Sequence, residues 1–150
     1  MKAEIINIGD ELLTGQVINT NASYIGRKLS EIGISVERVV SVGDVEEAII
    51  DELKRAYENF DVVILTGGLG PTHDDVTKGA VCKFFNTELV LNEEVLNQVR
   101  EFLARRGRTE LNEANKSQAL VPAKAKVIMN YWGTAPGLLF EEGEKYVIVM

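Results

Sequence analysis

The sequence is poor in residues that staple a fold or bind transition metals. It has one cysteine, Cys82, and one histidine, His73, in 150 residues. A single cysteine excludes an internal disulfide, and one Cys with one His excludes a usual structural zinc site. Long apolar runs are also missing. The longest uncharged ones are strand-sized, such as Val62-Val63-Ile64-Leu65, far short of the roughly 20 residues that cross a bilayer. At the amino end an acid, Glu4, stands where a secretory leader needs an apolar stretch. Positive charge is in deficit: 16 Lys and Arg face 23 Asp and Glu, a formal net charge of -7. That balance argues against tracking a nucleic-acid backbone, which needs a basic surface, although backbone N–H groups can still bind a small anion locally. These absences predict a soluble, cytoplasmic protein without a nucleic-acid or membrane partner. What remains is a globular composition, 45% hydrophobic and 26% charged, with no repeat, linker or low-complexity stretch.

Apolar runs and helical stripes alternate along the chain. Residues 3–8 read as a strand, and Ala22, Ile25, Leu29 and Ile32 fall on one helical face stopped by Gly33. Residues 34–42 are strand-like again. Asp44 and Glu47 have the spacing of a capping box for a helix carrying Val45, Ile49 and Ala56. The aliphatics within 61–66 suit a strand covered on both faces. A helix is predicted from Asp75 to Phe85, a short strand at 88–91, and a helix capped by Asn92 and stopped by Gly107. A polar helix over 111–119 ended by Pro122, a strand at 126–129 and a hairpin around Glu141 to Glu144 complete the pattern. Such alternation predicts an α/β fold with a mainly parallel sheet and a C-terminal β-hairpin.

In such a sheet the ligand crevice lies at the carboxyl ends of the strands. Two segments fall there: Gly9-Asp10-Glu11-Leu12-Leu13-Thr14-Gly15, and Thr66-Gly67-Gly68-Leu69-Gly70-Pro71-Thr72-His73-Asp74-Asp75-Val76-Thr77. Three glycines in four positions let backbone approach a ligand, and the helix behind them offers N–H groups to a phosphate. Carboxylates beside a phosphate require a cation between them. Gly67, Gly68 and Gly70 with Asp10, Asp74 and Asp75 therefore read as a site for phosphate and a divalent cation such as Mg²⁺. The plainer alternative is a tight turn with Asp74 or Asp75 capping the helix. Neither the P-loop nor the dinucleotide fingerprint is present.

These motifs, with Asn19-Thr20-Asn21, Asn115-Lys116-Ser117-Gln118-Ala119 and Gly133-Thr134-Ala135-Pro136-Gly137, resemble the amino-terminal domain of CinA-like competence/damage-inducible proteins. That domain is similar to the MoaB/MogA molybdopterin-binding superfamily, and Leu69 favours the CinA branch. The resemblance covers residues 1–150 and implies a single three-layer α/β/α domain. It also implies metal-dependent hydrolysis of the pyrophosphate of ADP-ribose or a related nucleotide diphosphate. Asp75 and Asp10 are the implied catalytic residues, and Asp10, Asp74 and Asp75 the metal ligands. Substrate would be held by Gly67, Gly68, Gly70, Pro71, Thr72, Thr77, Asn21, Asn115 and Gln118. Family members continue past the last strand with a Leu-Pro-Gly-x-Pro loop, so the domain is expected to be truncated at its C-terminal end; nothing here resembles the nicotinamide mononucleotide deamidase domain that adjoins some relatives. Where the family has Asn-Pro-Val-Gly, this chain has Asn130-Tyr131-Trp132-Gly133. Two other functions stay open: a transferase handling pterin phosphate, and a non-catalytic nucleotide-binding module.

Spacing and residue type add a few local expectations. Asn115 and Gln118, three apart on a helix, share a face and can reach one ligand. Tyr131 and Trp132 either stack on an adenine face or pack at the rim or in the core, and Cys82 is a buried small hydrophobe. A truncated last strand and exposed apolar edges predict a homo-oligomer, a dimer or trimer.

Overall fold

A computed structural model describes residues 1–70, 76–108 and 110–150. The chain begins with strand β1 (Lys2–Ile8), a single helical turn α1 (Asp10–Leu13), helix α2 (Thr20–Glu31) and strand β2 (Ser35–Val42). Helix α3 (Glu46–Asn59), strand β3 (Val62–Thr66), helix α4 (Thr77–Phe84) and strand β4 (Leu89–Leu91) follow. Helices α5 (Glu93–Ala104) and α6 (Glu113–Ser117) precede strands β5 (Leu120–Pro122), β6 (Lys126–Ile128), β7 (Gly137–Glu142) and β8 (Lys145–Val149).

Six strands form one sheet in the order β2-β1-β3-β8-β7-β6. The first four are parallel, and β7 and β6 add antiparallel pairings. Alternation along the strands divides the core into two faces. On one, Ile6, Ile8, Val63 and Leu65 pack with Ile49, Leu53 and Ala56 of α3 and Ala80 and Val81 of α4. On the other, Ala3, Val62 and Ile64 pack with Leu29 of α2. The expected three layers are therefore formed, because strands buried on both faces need helices on both. Helix α5 builds its own cluster from Val95, Leu96, Val99 and Leu103 with Ala119 of the α6–β5 turn.

Several local expectations are corrected. The Asp44–Glu47 capping box does not form: α3 starts at Glu46 behind Val45, which makes no side-chain cap. The Asp44 carboxylate instead accepts the backbone N–H of Asp10 at 3.0 Å, and Asp10 accepts that of Asp44 at 3.2 Å. Ile32 lies past the end of α2 and is exposed. The polar helix stops at Ser117, and Pro122 ends a strand rather than a helix: β5 pairs antiparallel with β4 as a separate ribbon. The last strand offers no free edge, since β8 is bonded to β3 on one side and β7 on the other. The hairpin turns at Gly143 and Glu144, while Glu141 and Glu142 belong to β7: Glu141 pairs with Lys126 and Glu142 accepts from the Tyr57 hydroxyl at 2.9 Å.

Candidate functional site

Parallel β1 and β3 are adjacent, so the loops after them leave the same sheet edge side by side. The β3 loop is held unusually close to β1. At Gly67, with φ of 109°, an added Cβ would lie 2.2 Å from the Ile8 carbonyl oxygen. At Gly68, with φ of 64°, it would lie 2.2 Å from the Thr77 hydroxyl. Both positions thus demand glycine by conformation and by space. The loop is pinned further: Thr77 donates to the Gly67 carbonyl at 2.9 Å, and the Gly67 N–H donates to the Met150 carbonyl at 3.1 Å. The glycine turn is thereby seated on the first residue of α4.

Between the two loops lies a cavity of about 150 Å³, lined by Asn7, Ile8, Glu11, Leu12, 17–21, Thr66 and Gly67. Residues expected at this site are distributed unevenly around it. Asn21 and Gly67 line it. Asp10 does not. Its carboxylate turns away to the β2–α3 connection, where a Cβ on Gly43 would meet it at 2.6 Å. The exposed acid on the cavity is Glu11, whose carboxylate folds back over the Gly9 backbone. Thr77 is fully buried with its hydroxyl given to Gly67, so it supports the loop from beneath rather than facing the crevice. Gly68 lies against Thr77, and Gly70 ends the described part of the loop, half-buried. Pro71, Thr72, His73, Asp74 and Asp75 lie outside the described residues. Among the described residues, no group of three or more His, Cys, Asp or Glu is disposed to hold a metal ion.

One functional candidate escaped the motif reading. Asn7 is 1% exposed, near the end of β1 between Ile6 and Ile8. Its amide nitrogen donates to the Val40 carbonyl at 2.8 Å, which fixes its oxygen towards other partners. That oxygen has none among the described residues, although Asn7 lines the cavity. A buried acceptor left unpaired costs free energy, and a donor brought by a ligand removes the cost. The signal available in the sequence was an amide set between isoleucines near the end of the strand pattern Ile5-Ile6-Asn7-Ile8.

The crevice continues along the sheet edge. Strands β6 and β3 point the same way, so the loop after β6 reaches the same side. A second cavity of about 290 Å³ lies between Leu69 and residues 128–130, 135–137 and Met150. Asn130 organises the unusual loop, accepting from the Trp132 and Gly133 N–H groups and donating to the Ala135 carbonyl at 2.9 Å. Gln98 of α5 clamps it from outside through the Asn130 and Gly133 carbonyls. Tyr131 and Trp132 consequently project into solvent, 61% and 87% exposed, which removes the packing role. Lys78 ties α4 to the end of α6 by donating to the Ser117 and Leu120 carbonyls. Asn115 and Gln118 do not converge. Asn115 lines a third cavity, whereas Gln118 is 1% exposed with neither amide atom bonded among the described residues. Cys82 is half-buried, and its thiol is pushed above its ordinary range by burial, with Lys78 opposing. It stays a protonated packing group.

An open, mainly parallel sheet wrapped by helices, with a glycine loop docked on a helix start at its carboxyl edge, defines a three-layer α/β/α ligand-binding domain. The chain belongs to the family described as "Probable molybdopterin binding domain", whose model matches residues 4–150. It is 47% identical over 150 residues to a CinA-like protein of Dictyoglomus thermophilum, covering 100% of this chain and 36% of that protein. A CinA-like protein of Kosmotoga olearia is 45% identical over 151 residues with the same coverage. The chain thus spans about a third of the length of these relatives. Among solved structures, CinA from Thermoplasma acidophilum superposes with a TM-score of 0.88 at 35% identity, over 99% of this chain and 86% of that one. The tungsten cofactor synthesizing protein MoaB from Pyrococcus furiosus, at 20% identity and a TM-score of 0.60 over 99% of this chain and 78% of that one, shares the fold.

Proposed function

We propose that this domain binds a phosphorylated pterin or nucleotide in the crevice between β1 and β3. The observation that carries the reading is the unpartnered oxygen of buried Asn7, a residue that lines the cavity together with Gly67. Asn7 needs a donor such as a ring N–H, amino or ribose hydroxyl group. The glycine loop and the start of α4 suit an anion. A ligand carrying both features is a pterin or nucleoside phosphate, and the family description points the same way.

A finer reading adds hydrolysis of the pyrophosphate of ADP-ribose or a related nucleotide diphosphate. Carboxylate oxygens are the donors a hard divalent cation takes. Glu11 is the described acid on the crevice and Asp10 is engaged with Asp44, so Glu11 with Asp74 and Asp75 forms the set we propose for Mg²⁺. The bound ion supplies Lewis acidity and a water of lowered pKa. The chain's own part is to hold the phosphate against loop N–H groups and the adenosine or pterin against Asn7.

The test has two arms. Incubation with ADP-ribose and Mg²⁺ is followed for AMP, and a fluorescent pterin is titrated in parallel. AMP formation establishes the hydrolase. Saturable pterin or AMP binding without turnover leaves the binding domain alone. Absence of binding to both overturns the reading.

A further inference from the structure

The third cavity, of about 360 Å³, lies where the end of α5, helix α6 and the β6–β7 loop meet, and Phe102, Leu103, Arg106, Arg108, Asn115 and Thr134 line it. Its charge is the reverse of the molecule's. Among the described residues no carboxylate lines it, in a chain with a formal net charge of -7. Among the other arginines, Arg38 and Arg55 pair with Glu4 and Glu52 and Arg105 with Glu101, while Arg27 over Tyr24 and Arg100 on Asn97 lie outside this cavity. Arg106 and Arg108 have no acidic partner within 4.0 Å among the described residues. Arg106 is also placed, its guanidinium carbon 4.2 Å from the centroid of the Phe102 ring. Stacking leaves the edge N–H groups of a guanidinium free to donate. The Asn115 amide and Thr134 hydroxyl make no side-chain bond among the described residues and add neutral donors.

One effect opposes an anion here. The carboxyl end of α5 carries roughly half a negative charge. Its last carbonyls are already taken, however, with Leu103 accepting from Arg106 and Arg108 and Ala104 from Gly107. Two full positive charges outweigh that partial one.

We infer that Arg106, Arg108, Asn115 and Thr134 form a second anion subsite, separate from the glycine loop, for a phosphate or carboxylate group. Thr134 lines this cavity and its neighbour Ala135 the second one, and no residue of the subsite lines the β1–β3 cavity that carries the proposed function. The inference stands on the pocket itself and not on that function.

Inorganic phosphate and acetate are the probes, titrated at constant ionic strength and followed by amide and arginine side-chain resonances. Saturable shifts at residues 106–108, 115 and 134, reduced at least about tenfold in affinity by Arg106→Gln with Arg108→Gln, are the expected result. Arg106→Lys, which keeps the charge but not the fork, should recover only part of it. Saturation by phosphate alone identifies a phosphate site, and by both anions a general carboxylate-tolerant site. Shifts confined to the Gly67–Gly70 loop, or binding unchanged in the double variant, overturn the inference while leaving the proposed function standing. Retained circular dichroism of the double variant keeps loss of folding from imitating loss of the site.

Discussion

At the level of single residues, the site turns on which acid faces the crevice and on glycines that admit no replacement. Gly67→Ala combines a positive φ with a Cβ on the Ile8 carbonyl. It should lower stability by about 2–4 kcal/mol and shift the chemical-denaturation midpoint accordingly. An unchanged midpoint would mean that the β3 loop is not clamped to β1. Asp10 and Glu11, adjacent in sequence, diverge in role. Asp10→Asn keeps an oxygen able to accept the Asp44 N–H, so affinity for a nucleotide with Mg²⁺ should stay within about twofold. Glu11→Gln removes the charge on the cavity, and Mg²⁺-dependent affinity or turnover should drop by about tenfold or more. Equal losses in both variants, read by calorimetry or AMP release, would return Asp10 to the site. Sequence alone did not separate these neighbours, because the choice depends on where β2 delivers Asp44.

At the level of elements, the sheet face under α3 contains a fully buried charge. Glu4 on β1 is 0% exposed, bonded to Arg55 of α3, and 3.4 Å from Arg38 of β2. Glu52 of α3 joins them, 3.0 Å from Arg38 and 2.6 Å from Arg55. Burial, then the hydrogen bond and charge of Glu4, push the Glu52 carboxyl up to about 7. The folded state therefore holds a proton that the unfolded chain releases near 4.5. Between these values folding binds more protons, so this group stabilises the fold as pH falls and loses that contribution as pH rises through about 7. In Glu52→Gln the slope of urea midpoint against pH should flatten across that window. An unaltered slope would place the titration elsewhere. The strand–helix alternation that built this layer was legible, because buried aliphatics and helical stripes are local patterns. The Glu4–Arg55 contact was not: it joins residues 51 apart. Strand β5 was hidden for a related reason, since three residues ending in proline look like a helix stop until β4 pairs with them.

For the molecule as a whole, the parallel pairing of β1 and β3 brings the two motif loops together at one sheet edge, as their positions after strands implied. They did not show how much further it runs, since the β6 loop joins it only after two antiparallel steps. The same limit applies to assembly. The apolar edge expected of the last strand is not there, because β8 is interior; exposed aliphatics gather instead on β4, where Leu89, Val90 and Leu91 are 42%, 39% and 50% exposed. The ribbon is two strands wide, its β4 side is unpaired among the described residues, and such ribbons are marginal without cover. We therefore expect a homo-oligomer that buries β4, with closed symmetry. Charge gives this expectation a distinctive sign. Chains of net charge -7 repel one another, so apolar association should strengthen as salt screens them, whereas an assembly held by ion pairs should weaken. Sedimentation velocity at micromolar protein should show a species larger than the monomer, tightening with salt, and Val90→Lys should shift it towards monomer without changing the circular dichroism spectrum. A clean monomer for the unmodified chain, or an oligomer indifferent to Val90→Lys, would remove β4 as the interface.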